Sequence, residues 1–332
     1  MKAVPISISS GGSRPLNEIH PQPSRQAAGS IKAGAVEARP ILADISIVIP
    51  TLGRDILEQS LYWIASGSAW PACLIVVNQG PGDAIDGWLQ VLQAQGMHTK
   101  HIRSKQRGRS AGVNRGIEQV ETDYFAVTDD DCFVDSDWLS NMRSSLASHP
   151  DAVVTGRVGA AGEGTKFVVT SMQPALYRKP RLKFDAMSGG NMGTSLSVVR
   201  QVGLFDEDPR LSTAEDAEWS YRALRKGISI VYAPEVCVHH YGWRDDAARA
   251  GQYRSYARSH GGFYGKYIRK GDLFILLRAL LHHIRALRWW LRGKAAGDAD
   301  LTLQGCAYFF GLLPGIIAGF RGNRKQQENT TQ

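Results

Sequence analysis

The chain has 332 residues, of which 43% are hydrophobic and 21% charged. These are globular values, with room for one large or two ordinary domains. A net charge of +8 and a pI near 9.3 suit an anionic partner: nucleic acid, anionic lipid or a nucleotide substrate. The four cysteines, Cys73, Cys132, Cys237 and Cys306, are too few and too scattered for a disulfide framework or a paired zinc site, so reduced thiols in a cytoplasmic setting are expected. No positively charged start followed by an apolar run marks a secretory signal.

In chain order, residues 1–43 are rich in Ser, Gly, Pro and Ala without apolar periodicity, and a disordered tail is expected. Ile45-Ser46-Ile47-Val48-Ile49-Pro50 reads as a β-branched strand stopped by proline. A helix with Leu57, Leu61 and Ile64 on one face follows, then the buried strand Cys73–Asn78 and a helix through Trp88, Leu89 and Leu92. Another helix is predicted from Ser110 to about Val120. Next comes the apolar run Tyr124-Phe125-Ala126-Val127, ending in Asp129-Asp130-Asp131. Such alternation predicts a parallel α/β sheet. A strand over Ile228–Tyr232 is closed by His239 and His240, only one of which a strand can point at a given ion.

From Asp272 to Arg292, helical spacing sorts Arg278, Arg285, Arg288 and Arg292 onto one face and Leu273, Leu277, Leu280, Ile284, Leu287 and Leu291 onto another. Trp289 and Trp290 lie beside them. A basic amphipathic helix of this kind suits an anionic membrane surface, and packing on its own domain is the alternative. Leu301 to Phe320 is also apolar, but Gln304, Pro314 and several glycines predict an interfacial or re-entrant segment in place of a spanning helix. The expected layout is a tail over 1–43, a catalytic domain over 44–245, a membrane-associating helical region over 246–325 and a tail over 326–332.

Four segments carry chemistry. The strand end Pro50-Thr51-Leu52-Gly53-Arg54 brings a hydroxyl and a guanidinium to the sheet's carboxyl edge, where open α/β sheets bind ligands. Asn78-Gln79-Gly80 ends the next strand with amides suited to a nucleobase or ribose. The glycine-rich basic loop from Arg107 to Gly116, containing Arg109, Ser110 and Asn114, enters a helix and can meet an anion. The acidic triplet supplies oxygen ligands for a hard divalent ion. Each alone is compatible with an ordinary loop; their order together is what carries the reading.

In that order the sequence resembles a family 2 glycosyltransferase of the GT-A fold, an α/β fold with a central, mostly parallel sheet flanked by helices. The likeness continues through Ser188-Gly189-Gly190-Asn191-Met192-Gly193, Val202-Gly203-Leu204-Phe205-Asp206-Glu207 and Ala214-Glu215-Asp216-Ala217-Glu218-Trp219, and covers roughly Ile45 to His240. One departure is visible: the family's second strand ends in acids, and here it ends in Asn78 and Gln79. The resemblance implies inverting transfer of a hexosyl or deoxyhexosyl group from a nucleotide-diphosphate sugar to a saccharide hydroxyl. Asp216 would be the general base, with Glu215 supporting it. Asp131 and Asp129, completed by His240, would hold Mg²⁺ or Mn²⁺. Pro50, Thr51, Arg54, Asn78, Arg107, Ser110, Asn114, Asp129, Asp130, Gly190 and Asn191 would line the donor site. With the basic C-terminal helices, the family suggests synthesis of a bacterial surface polysaccharide on a lipid-linked acceptor. The enzyme would then be cytoplasmic and peripheral, on the inner face of the cell membrane. A nucleotide-sugar hydrolase or nucleotidyltransferase on the same scaffold is the nearest rival. A nucleic-acid module is disfavoured, because the basic residues cluster with leucine and tryptophan and do not surround a stacking face.

Overall fold

The structure, a computed structural model, describes residues 39–82, 84–162, 168–242 and 246–322. They fall into two compact units, one built mainly on a sheet and one on helices. The helical unit takes in residues 206–218 and 181–184 as well as the C-terminal region.

In the sheet unit, β1 (Ile41–Thr51) pairs in parallel with β2 (Trp70–Asn78) and with β4 (Tyr124–Thr128), and β2 pairs in parallel with β3 (Thr99–Arg103). Burial begins at Ile45, the expected start of β1, whereas pairing begins earlier: Ile41 lies opposite Trp70 and Leu42 opposite Pro71. Backbone pairing therefore reaches upstream of the buried run, across an irregularity between Leu42 and Ser46. Strand β3, Thr-Lys-His-Ile-Arg, has no apolar pattern either, and it forms on the edge of β2.

Helices α1 (Ile56–Ala65), α2 (Ala84–Ala94) and α3 (Arg109–Ile117) follow β1, β2 and β3 in the chain. Helix α3 packs close to β1: a Cβ on Gly116 would lie 2.2 Å from Val48 Cγ1, and one on Gly112 would lie 2.8 Å from Pro50 Cβ. Beyond β4 the sheet turns mixed. Along the sheet the order is β3-β2-β1-β4-β8-β6-β9-β5, with β7 also on β9. The added strands are β5 (Cys132–Val134), β6 (Val153–Ala160), β7 (Ala175–Tyr177), β8 (Asn191–Ser195) and β9 (Ile230–His240). Strand β8 runs antiparallel to β4 and β6, and β5 antiparallel to β9. Helix α4 (Trp138–Ser148) lies between β5 and β6 in the chain, and α5 (Leu196–Val202) follows β8. Trp70, Trp138, Phe125, Phe133, Ile45 and Ile47 are fully buried and anchor the core.

The helical unit holds the first turn of α6 (Glu215–Arg225) and the long helices α7 (Asp246–Ile268), α8 (Leu273–Ala296) and α9 (Ala299–Arg321). Asp272 caps α8 by accepting from Ile275 N at 3.2 Å, and Asp298 caps α9 by accepting from Leu301 N at 2.9 Å. Two expectations are corrected here. Arg278 does not join an outward basic face: it is buried, with its guanidinium over the rings of Phe263 and Tyr264. The outward face of α8 is instead apolar, with Leu273, Leu276, Leu277, Leu280, Ile284 and Leu291 exposed. The second correction concerns the re-entrant alternative alone: Leu301–Phe320 lies within one continuous helix, with Pro314 inside it. Pro314 sits on the exposed side of that helix. By length and composition α9 is able to cross a membrane.

Candidate active site

The carboxyl ends of β1, β2 and β4 gather most of the expected donor-site residues. Asp130 and Asp131 follow β4 directly and are both buried, whereas Asp129 is half-buried. Asp130 is the structural member of the triplet. Thr51 Oγ1 donates to its Oδ2 at 2.6 Å, Arg54 Nε donates to the same oxygen at 3.2 Å, and Arg54 Nη2 pairs with Oδ1. Ser60 Oγ adds a bond to its backbone carbonyl at 2.8 Å. Burial raises the Asp130 pKa, and Arg54 and Thr51 offset only part of that. Burial also works against the charge on Arg54, but Asp130 and Asp131 outweigh it and raise the pKa above its ordinary value. Thr51, Arg54 and Asp130, expected to bind the donor, thus bind one another and brace the loop that presents Asp129 and Asp131.

Asp129 and Asp131 point their carboxylates toward one space, with ligand atoms within 4.8 Å of each other and of Cys132 Sγ. Asp131 Oδ2 meets Arg54 Nη2 at 3.1 Å and Oδ1 faces His240 Nε2 at 3.6 Å. His240 arrives through pairing of β5 with β9, where Cys132 lies opposite His240. His239 points the other way and bonds Asp135 Oδ1 at 2.7 Å, as strand alternation demands. The carboxylates of Asp129 and Asp131 suit a hard divalent ion, which prefers oxygen ligands, and His240 stands beside Asp131. Cys132 does not fit: burial pushes its thiol well above the ordinary range and keeps it protonated. The trio Asp135, Cys237 and His239 also brings ligand atoms within 4.8 Å. There burial pushes the Cys237 thiol up to about 12, and Arg157 Nη2 stands 3.8 Å from Asp135. It reads as an ion pair against a neutral thiol.

The basic loop delivers a different arginine from the one expected. Arg107 is exposed, whereas Arg109 Nε donates to Asp129 Oδ1 at 2.8 Å. Gln79 Nε2 holds the loop by donating to the carbonyls of Gln106 at 2.7 Å and Gly108 at 2.9 Å. Arg109 and Gln79, named within their segments but left out of the expected donor site, are the residues that build this corner of it. Gly189 and Gly190 form the floor: a Cβ at 189 would lie 2.9 Å from Arg109 Nη1, and one at 190 would lie 2.7 Å from Asp129 Oδ2. Gly190 therefore serves by lacking a side chain.

Two expected donor-site residues have their polar groups engaged in the scaffold. Asn191 is fully buried, accepts from Trp138 Nε1 at 2.9 Å, and donates to the carbonyls of Arg157 at 2.8 Å and Val236 at 3.0 Å. Asn114 Nδ2 donates to the Phe205 carbonyl and its Oδ1 accepts from Phe205 N, both at 2.9 Å. Pro50 is buried against α3. Asn78 accepts from Gly80 N at 2.9 Å, and its buried Nδ2 has no hydrogen-bond partner among the described residues, a donor suited to a ligand carbonyl. Ser110 is buried in the first turn of α3.

Glu215 and Asp216 stand in the first turn of α6, within the helical unit. Glu215 is buried and Asp216 half-buried, with Asp216 Oδ1 accepting from Ala217 N at 2.7 Å. The third acid of that turn, Glu218, is fully buried and accepts from Lys266 Nζ at 2.8 Å and Tyr267 OH at 2.7 Å. It holds α6 to α7, which leaves Asp216 as the most solvent-accessible acid of the turn.

Residues 46–203 match the family described as Glycosyl transferase family 2, and the carboxylate edge just described falls within that span. That match spans just under half of the chain. Its core is a mixed α/β fold of the GT-A type. Among solved structures, it resembles a mannosyltransferase from Pyrobaculum calidifontis, crystallised with GDP-Man and Mn²⁺, at a TM-score of 0.55 and 16% identity, covering 85% of this chain and 86% of that one. It resembles S. aureus TarS at a TM-score of 0.51 and 15% identity, covering 79% of this chain and 54% of that one. GalNAc-T7, crystallised with UDP, GalNAc and Mn²⁺, aligns at a TM-score of 0.49 and 16% identity, covering 68% of this chain and 50% of that one. The chain spans about half the length of the latter two. No curated protein matches it.

Proposed function

We propose that this protein is a glycosyltransferase that moves a hexosyl or deoxyhexosyl group, with inversion, from a nucleotide-diphosphate sugar to a hydroxyl of a lipid-linked saccharide. The carrying observation is the convergence of Asp129 and Asp131 beside His240, with Arg54 and Arg109 balancing their charge. Asp129, Asp131 and His240 would hold Mg²⁺ or Mn²⁺, which when bound neutralises charge on the diphosphate leaving group. Asn78 Nδ2 offers a hydrogen bond to the nucleoside, and Arg107 on its exposed loop is free to reach a phosphate. Asp216 takes the proton of the acceptor hydroxyl, and the buried carboxyl of Glu215 orients it. The exposed apolar helices favour a peripheral position on the cytoplasmic face of the cell membrane.

A panel of nucleotide sugars, each with and without Mn²⁺, tests the donor half by thermal stabilisation. One donor raises the melting temperature only with metal. Asp216→Asn retains that shift and loses transfer to acceptor; a variant that loses the shift in proportion to transfer makes Asp216 a binding residue. Release of sugar without acceptor at the rate seen with it favours a hydrolase instead.

A further inference from the structure

We propose that α8 and α9 form a monotopic membrane face, lying in the plane of an anionic phospholipid bilayer with their apolar stripes inserted and neither helix crossing it. Leu277, Leu280 and Ile284 line the outer side of α8, and Phe310, Leu313 and Ile317 that of α9, with Leu280 57% and Phe310 59% exposed. The stripes join along the seam, where His283 stacks on Phe309 at 4.5 Å and Trp290 meets Phe310 at 5.4 Å. Contiguous apolar surface of this extent is rare on a soluble monomer and marks a partner.

Charge selects the bilayer as that partner. Arg285, Arg288 and Arg292 recur at helical spacing along one margin of the leucine stripe, and Lys294 and Arg321 lie near the two helix ends. Leaving out the buried Arg278, residues 273–321 carry five Lys and Arg against two acids, Asp298 and Asp300. A second copy of so basic a face would be repelled, while phosphate headgroups would be attracted.

Helix α9 is long and apolar enough to span, but its inner face is committed. A Cβ at Gly315 would lie 2.2 Å from the Arg258 carbonyl oxygen, and one at Gly319 would lie 2.2 Å from the Gly262 carbonyl oxygen. Small residues at four-residue spacing thus bring the α9 and α7 backbones together. Helix α7 carries Arg249, Arg254, Arg258 and Lys266, so crossing would drag those charges into hydrocarbon. Only the outer stripes are left to insert, the arrangement of an interfacial helix.

The proposal deepens the membrane location given above. It is read by flotation, which needs neither donor nor acceptor, so transfer to a purely soluble acceptor would overturn the lipid-linked acceptor and leave this surface intact. The full chain is floated with vesicles of phosphatidylcholine plus phosphatidylglycerol and with phosphatidylcholine alone. Wild type floats with the anionic vesicles. Leu280→Glu with Leu313→Glu lowers partitioning by at least about ten-fold. Glutamine at Arg285, Arg288 and Arg292 lowers it by about five-fold for each charge removed. Those arginine variants serve if the leucine variants do not fold. Cysteines at Ala296 and Arg321 both react with an impermeant thiol reagent added outside the vesicles. Wild type that stays unbound to both vesicles overturns the proposal. So does a dimer that the leucine variants dissociate without changing flotation, or labelling at only one of the two cysteines.

Discussion

Replacing Gly190 with alanine separates a site role from a folding role. The new Cβ would stand 2.7 Å from Asp129 Oδ2 and 3.3 Å from Cys132 Sγ. Ordinary carbon contacts begin near about 3.5 Å, so the carboxylate has to retreat by roughly 0.5–1 Å. Reactive geometry tolerates about 0.5 Å, and a misplacement of about 1 Å costs on the order of 100-fold in rate. Transfer should therefore fall by about 10- to 100-fold, with the metal concentration for half-maximal activity rising. Stability should move little. Position 190 has no left-handed φ to strain, and alanine restricts the unfolded chain by about 0.4–1 kcal/mol in favour of folding. Rates across a Mn²⁺ titration, set beside thermal denaturation of the same preparation, give both numbers. Full activity with unchanged metal dependence, or a loss matched by an equal loss of folded protein, refutes the assignment of Asp129.

The neighbouring acids should divide in the same way. Asp130→Asn leaves Arg54 without its main partner in a partly screened position and should destabilise by about 1–3 kcal/mol in denaturant titration, whereas Asp131→Asn should cost transfer and metal binding while keeping the midpoint. Asp135 is half-buried, and although burial alone would raise its pKa, His239 and Arg157 hold it below the ordinary carboxylate value. A depressed folded-state pKa gives stability that is present above the unfolded value and lost as pH falls through the folded one. The melting temperature of wild type should accordingly exceed that of Asp135→Asn at neutral pH and converge on it in acid; a gap that persists or widens in acid contradicts the pairing.

Much of the sheet edge was legible because its signals are local. A β-branched run ending in Pro-Thr and an apolar run ending in three acids each name a buried strand and the face it delivers to the edge. What stayed hidden depended on contacts between distant segments. Asn191 sits in a glycine-rich motif that suggests ligand contact, yet its amide is consumed by Trp138, Arg157 and Val236, on three other elements. Asn114 is likewise spent on Phe205, 91 residues away. In α8, periodicity separated arginine from leucine but not inside from outside. The aromatic rings of α7 draw Arg278 inward by cation–π contact, and the leucines are turned out. Between Arg107 and Arg109, composition gave no preference; the turn into α3 at Gly108, with φ of 119°, precedes the arginine that reaches Asp129.

In the proposed function, Asp129 and Asp131, with His240, would bind a divalent ion that in turn holds a nucleoside diphosphate. Calorimetric titration of UDP and of GDP into the protein with Mn²⁺, with chelator, and into Asp131→Asn with Mn²⁺ measures it directly. The account predicts that one nucleotide binds wild type with Mn²⁺ and loses at least about ten-fold in affinity both with chelator and in the variant. Equal affinity in all three titrations contradicts it.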